Sequence, residues 1–404
     1  MKKALIYVSL AILVFVTPSY SQEKKENPFS AKWDNGFKIE RADQQIKMKF
    51  GGRIMYDMGF FGLNTEAEEN GYALFSENGN EFRRARLFTS GTIYNNVDFK
   101  LQLDFAGGKT ILKDAYITLK KLPVIGNFRV GHFVEPIVLE SFTSSKYITF
   151  MERSLATGIV SGRNSGVMIF DENSSKRTAW QLGMYSGVNS LTSDSPRANG
   201  NYSVTGRIAT TAVKTEESSV HLGFSYSFRK PQNEKTFGYS LRPEVHMANK
   251  YIKTNVENVN HINAFNVETS LVLGSFSLQS EYLSTKVDAR NNSLNFNAFY
   301  ALASYFLTGE RRNYMSALYG YGRVKPKNNF GDGHYGALEL ALRYSIADGM
   351  ENDQMRNITA GLNWHLNPAT RVMVNYVFSS IENDTQYLGE GNFNAFQMRF
   401  QIDF

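Results

Sequence analysis

The side chains best placed to do chemistry in this chain are its arginines. Phe82-Arg83-Arg84-Ala85-Arg86-Leu87 sets three guanidiniums within six residues, and other arginines recur in segments where polar and apolar residues alternate. A guanidinium stays charged at any physiological pH and offers forked donors that match phosphate oxygens. Rings of Arg or Lys around a water-filled pore select anions. The alternation sends Arg53, Arg84, Arg86, Arg129, Arg207, Arg229, Arg343, Arg371 and Arg399 to one face, and Arg83 to the other. The same face receives Asp57, Asp98, Asp104, Asp114, Glu268, Glu281, Glu339 and Asp403. Charges opposed across strands can neutralise one another. The residues by themselves therefore leave both an anion-selective pore and a general, weakly selective diffusion pore open.

Enzyme chemistry finds little support. There is no phosphate loop, no HExxH and no GxSxG. The six histidines (His132, His221, His246, His261, His334, His365) are scattered, so no metal or cofactor is expected. His221 and Ser225 share a strand face, as a lipase-like barrel enzyme would need, but such pairs arise easily by chance. A structural or adhesive barrel is the other alternative. Nothing points to nucleic acid.

The elements that must carry these residues are strands. Val97, Phe99, Leu101, Leu103 and Phe105 alternate with Asp98, Lys100, Gln102 and Asp104. Leu338, Leu340, Leu342, Tyr344 and Ile346 alternate with Glu339, Ala341, Arg343 and Ser345, and the pattern runs to Phe404. Period two with one greasy face and one charged face is the mark of a barrel wall between lipid and water. Aromatic residues make up 14% of the chain although mean hydropathy is −0.34, which a two-faced wall explains. No segment after the leader is long and apolar enough for a transmembrane helix. Cysteine is absent, so closure must come from hydrogen bonds rather than disulfides.

The leader is Lys2-Lys3, an apolar run from Ala4 to Val16, and the small-x-small site Ser19-Tyr20-Ser21. It predicts a secretory signal peptide over 1–21. A periplasmic N-terminal segment over 22–44 and a transmembrane barrel over 45–404 follow. The class is all-β, a closed antiparallel barrel. About sixteen strands are expected, near 45–61, 81–94, 97–106, 110–120, 126–133, 161–171, 178–187, 202–213, 219–229, 259–273, 275–285, 293–307, 334–346, 355–366, 370–381 and 391–404. Residues 237–247 read as loop because of Pro231 and Pro243. Short and long connections alternate, as periplasmic turns and extracellular loops do. The long 308–333 is the exception, falling on the turn side. The loop 134–160, after the fifth strand, carries both signs and is the candidate constriction. A terminal Phe404 on an aromatic alternating strand suits a chain handed to the outer-membrane insertion machinery of a Gram-negative bacterium.

Several motifs together resemble the phosphate-selective porin O and P family. They are Gly51-Gly52-Arg53 with Asp57, Phe82 to Leu87, Leu103-Asp104-Phe105-Ala106-Gly107-Gly108, and Lys113-Asp114-Ala115-Tyr116. Val130-Gly131-His132-Phe133 and Ser144 through Ser154 follow. Later come Phe306 to Arg311, Gly322-Arg323-Val324-Lys325-Pro326, Glu339 to Tyr344, Gly361-Leu362-Asn363-Trp364 and Arg371 to Tyr376. The order is the family's from about residue 50 to the end, with 188–260 least alike. The resemblance implies an outer-membrane porin of sixteen strands, a homotrimer in outer-membrane lipid, with the third loop folded into the lumen. It implies passage of small anions, phosphate or polyphosphate. Carried over by motif, Arg83 and Arg84 fit a paired-arginine site, Asp114 a tuning aspartate, and Lys146 a loop lysine. Arg153 or Arg163 is a further ligand.

Overall fold

The computed structural model describes residues 29–74, 76–160, 162–186, 201–231, 236–386 and 388–404. The expected leader over 1–21 lies outside them. The first described element is a hairpin of β1 (Phe29–Trp33) and β2 (Phe37–Arg41). Nine strands follow: β3 (Ile46–Leu63), β4 (Asn78–Ile93), β5 (Val97–Asp104), β6 (Ile111–Leu122), β7 (Gly126–Val134), β8 (Arg163–Glu172), β9 (Thr178–Ser186), β10 (Tyr202–Lys214) and β11 (Ser218–Lys230). After β12 (Phe237–Leu241) and β13 (Ile252–Val256) come β14 (Val259–Leu273), β15 (Phe276–Ala289) and β16 (Ser293–Phe306). The short β17 (Tyr314–Ser316) and β18 (Gly320–Tyr321) precede β19 (Ala337–Asp348), β20 (Gln354–His365), β21 (Thr370–Asn383) and β22 (Gly389–Asp403).

From β3 to β22 each wall strand pairs antiparallel with the next, and β22 returns to β3, which closes a barrel of sixteen strands. β12 pairs only with β13, and β17 only with β18. The residues expected as loop near 237–247 thus hold a small separate strand, and the wall keeps an even count. Closure satisfies every strand's backbone from a neighbour, the condition for crossing lipid with strands.

The seam uses only the second part of β3, from Arg53 opposite Asp403 to Leu63 opposite Phe393. Beyond the end of β22, residues 37–40 of β2 pair with 47–50 of β3. The described part of the N-terminal segment is therefore a continuation of the wall at the turn end. Two glycines permit the seam. The Gly52 N–H donates to the Phe404 carbonyl at 2.6 Å. A Cβ at Gly52 would meet the Arg86 carbonyl at 2.6 Å and the Phe404 ring at 2.7 Å. The Gly51-Gly52 pair is thus a close approach of strand to terminus, not a turn.

The two faces follow the sequence alternation. On β19 the side chains of Leu340, Leu342 and Tyr344 are exposed on the outside, while Glu339, Arg343 and Ser345 are buried inside. A similar split on most wall strands gives an apolar outer belt and a largely polar interior, whereas β16 turns Phe296, Tyr300, Leu302 and Phe306 inward. At one end the connections are tight: 94–96, 123–125, 173–177, 215–217, 274–275 and 366–369. The other end carries 64–77, 135–162 and 231–258. The exception is 307–336, long but on the turn end, and it holds β17 and β18.

Candidate functional site

The interior is polar, and much of its polarity is used to hold chain segments. Residues 135–160, which include α2 (Leu139–Phe142) and α3 (Ala156–Ile159), bond to the inner faces of β11 through β22. Ser225 of β11 donates to the Ile137 carbonyl at 2.6 Å. The N–H groups of Leu139 and Glu140 donate to the Glu281 carboxylate at 2.7 and 2.9 Å. Asn363 donates to the Thr149 carbonyl at 2.8 Å, Arg371 to that of Ile148 at 2.9 Å, and Arg399 to that of Met151 at 2.6 Å. These bonds satisfy irregular backbone that has no ladder of its own.

Five of the inward arginines are consumed in this way. Arg343 pairs with Glu244 and donates to the Glu152 carbonyl. Arg399 forks onto Asp57 at 2.6 Å through both nitrogens. Arg207 pairs with Glu268 and donates to the Ala317 carbonyl at 3.0 Å, so it also holds the segment between β17 and β18. Arg229 meets Glu135 at 2.9 Å. Arg371 bonds only neutral partners, including Gln401 at 3.1 Å. All five face inward, as the alternation predicts, yet they act as anchors.

The wall from β3 to β9 is different. A cavity of about 220 Å³ lies against it, lined by Arg53, Arg86, Lys100, Arg129, Arg153 and Arg163 and by a single carboxylate, Asp114. Asp114 is shared between Lys100 and Arg163, each at 2.8 Å. Arg86 meets Asp104 at 2.7 Å. The other three cations bond neutral groups. Arg53 donates to the hydroxyls of Ser145 at 2.6 Å and Ser144 at 3.3 Å. Arg153 donates to the carbonyls of Glu140 and Thr143 at 2.9 and 2.8 Å. Arg129 donates to Thr118 at 3.0 Å and lies on the rings of Tyr116 and Phe170, 4.2 and 4.8 Å from their centroids. A cation stacked on aromatic faces keeps its charge while its orientation is fixed. An excess of positive charge in a small, partly desolvated space attracts anions more strongly than the same charges would in bulk water.

Of the residues singled out from sequence, Arg53, Arg86, Arg129, Arg153, Arg163 and Asp114 meet here. Arg83 and Arg84 do not line this cavity. Strict alternation puts Arg83 outside; the structure puts it inside. A bulge, where the Met55–Arg84 pair gives way to Tyr56–Phe82, inserts Arg83 as an extra residue, and it forks onto Glu152 at 2.7 and 2.8 Å. Arg84 is buried beside it, 3.7 Å from the same carboxylate. Arg399 reaches Glu152 at 3.0 Å. Lys146 also lies apart, 3.3 Å from Asp403 and over the Tyr147 ring at 5.3 Å. Burial pulls its ammonium down to about 8, against the opposing pull of Asp403 and with help from Arg53 and Arg323. Lys100 is the cavity residue that sequence reading missed. It sits on the charged face of β5, so the alternation already carried the signal.

Residues 48–404 match the family described as phosphate-selective porin O and P. Porin O of Pseudomonas aeruginosa is 24% identical to this chain, over 92% of the chain and 92% of its own length. An uncharacterised protein of Caulobacter vibrioides is 28% identical, over 86% of the chain and 71% of its own length. Among solved structures, the fold is similar to an anion-selective porin from Comamonas acidovorans, with a TM-score of 0.55 and 15% identity over 89% of this chain and 100% of that one. OmpF of Salmonella typhi gives a TM-score of 0.56 and 14% identity, covering 92% and 100%. The family match runs from within the first wall strand to the last residue of the closed barrel, and the chain, an outer-membrane porin, belongs to the phosphate-selective porin O and P family.

Proposed function

We propose that this porin is a passive channel for small anions, phosphate among them, and that they pass along the wall of β3 to β9. The observation that carries this reading is the cavity in which six cationic side chains face one carboxylate. Arg53, Arg129 and Arg153 supply charge that no acid offsets there. Asp114 tempers the site by occupying Lys100 and Arg163, since a pore must release what it binds. The segment 135–160 narrows the lumen, and its bonds to the inner wall, from Arg53 and Arg83 on one side to Ser225 and Arg399 on the other, support that role. Transport involves no covalent step, so the protein acts as a channel and not as an enzyme. Porin O of Pseudomonas aeruginosa, the relative noted above, supports the same reading by its name.

Three copies assemble in the outer membrane on this reading. OmpT of Vibrio cholerae, similar in fold with a TM-score of 0.53 and 14% identity, has a trimer form. Residues 1–21 serve as the export signal. The exposed apolar belt then meets lipid.

Block of the chloride current by phosphate, recorded on the full-length protein in a planar bilayer, tests the site. The double variant Arg53→Gln/Arg129→Gln is expected to raise the half-blocking phosphate concentration about tenfold or more. A bond to a charged group is worth about 1.5–3 kcal/mol. An unchanged block would place the anion path elsewhere.

A further inference from the structure

At the loop end a second, larger cavity of about 890 Å³ opens between the start of β4, the connection 64–77 and the segment that joins β12 to β13. Its lining differs in kind from that of the 220 Å³ cavity. Three groups of side chains share it.

The first group is cationic. Arg242, Lys250 and Lys253 line the cavity, and among the described residues none of them meets a carboxylate. Arg242 donates to the His246 carbonyl at 2.6 Å, and its Nε is buried without a partner. The one acid on the lining, Glu81, is already engaged by His246 at 2.8 Å.

The second group is aromatic. Phe61, Tyr72 and Tyr251 are almost fully buried and form a fixed floor. Tyr72 and Tyr251 meet edge to face at 5.7 Å, and Tyr251 lies 5.9 Å from Phe393. The two phenols are spent on the protein itself. Tyr72 donates to the Gly389 carbonyl at 2.7 Å and Tyr251 to that of Ala73 at 3.1 Å. What they offer the cavity is a narrow strip of rigid apolar edge.

The third group is amide. Asn78 and Asn80 line the cavity and are exposed, and among the described residues their side chains accept and donate no hydrogen bond. An amide presents a donor and an acceptor side by side, which suits hydroxyl groups.

An inorganic anion makes use of the first group only. A neutral sugar makes no use of three unmatched cations, and an aromatic acid makes no use of the amides. A ligand that uses all three carries an anionic group, several hydroxyls and a carbon face that packs on rings. We propose that this outer cavity is a binding site for a polyhydroxylated organic anion, a sugar phosphate or sugar acid, captured before the constriction. The proposal rests on the anion-channel reading above and adds a second class of solute to it. The route inward is drawn by shared side chains. Arg242, His246 and Lys250 also line a cavity of about 380 Å³ that reaches Arg153, and Arg153 lines the 220 Å³ cavity.

The test uses the full-length protein in a planar bilayer, with glucose 6-phosphate, inorganic phosphate or glucose added at the loop side while chloride current is recorded. Glucose 6-phosphate is expected to block at a several-fold lower concentration than inorganic phosphate, and glucose not to block. Lys250→Gln/Lys253→Gln is expected to raise the half-blocking concentration of glucose 6-phosphate about tenfold, which is one decade of affinity. Asn78→Ala/Asn80→Ala changes no charge and is expected to weaken that block several-fold while leaving the phosphate block within about twofold, a shift too small to count as a lost bond. Equal shifts for both probes would reduce the cavity to general electrostatic steering and overturn the site. A channel that prefers anions and is blocked by phosphate, but no better by glucose 6-phosphate, overturns the outer site alone. A channel with no anion preference overturns the reading beneath it.

Discussion

What each interior arginine bonds, an acid, a carbonyl of a crossing segment or a hydroxyl, decides whether it anchors chain or leaves its charge to the lumen. Arg399 is matched by Asp57, while Arg53 bonds only neutral groups, serine hydroxyls and the Gln102 amide. Alternation along a strand was enough to send both inward. It was not enough to tell them apart, because the deciding partner comes from another strand or from a loop. Lys100 shares that face through the β5 alternation, but a lone ammonium lacks the forked donors that mark a guanidinium as an anion ligand. Lys146 supports a pH prediction. Its ammonium titrates near 8, so its charge is present below that pH and lost as pH rises through it. Anion preference is therefore expected to be full at pH 6 and to fall between about pH 7 and 9, the span within about one unit of that value. Lys146→Met should remove the step. Reversal potentials recorded across that range check it, and a step that survives in the variant belongs to another group.

Among the elements, the segment 135–160 bonds to the inner wall at several points, and Glu152 makes the most highly charged of them. Its carboxylate receives the fork from Arg83 and a bond from Arg399. Removing one partner of a buried pair costs about 3–5 kcal/mol, because the charge left behind stays desolvated. Glu152→Ala is accordingly expected to loosen the segment, with larger and noisier single-channel conductance. A quiet channel of unchanged conductance would show that the other anchors suffice. The wall strands were legible to within a few residues, since period two is a strong signal over eight or more positions. The bulge at Arg83 was not, because one inserted residue leaves no mark in composition. Pro231 and Pro243 keep 237–247 out of the wall, as expected, but not out of strand: Phe237–Leu241 lies between the two prolines and pairs with β13.

At the scale of the whole molecule, closure depends on the approach of β3 to the chain end. Gly52→Val would drive its side chain into the Arg86 carbonyl and the Phe404 ring. The variant is expected to assemble poorly, seen as loss of the heat-modifiable folded band on a gel, whereas Gly62→Val, whose Cβ has no neighbour within 4 Å, should fold normally. Equal folding of both would contradict a close approach of Gly52 to Phe404 at the seam. The even strand count and the alternation of loops with turns were readable from the sequence. The long segment 307–336 on the turn end was visible only as an exception. Its reason is tertiary: Arg207 and Tyr314 tie it to the inner wall, through Ala317 and through Thr211 at 2.9 Å.

The reversal potential of the reconstituted protein under a KCl gradient shows whether the β3 to β9 wall carries anions. A potential on the chloride side of zero, reduced when Arg53 and Arg129 are both changed to Gln, is the predicted result. A potential at zero or on the potassium side would contradict an anion channel built on the β3 to β9 wall.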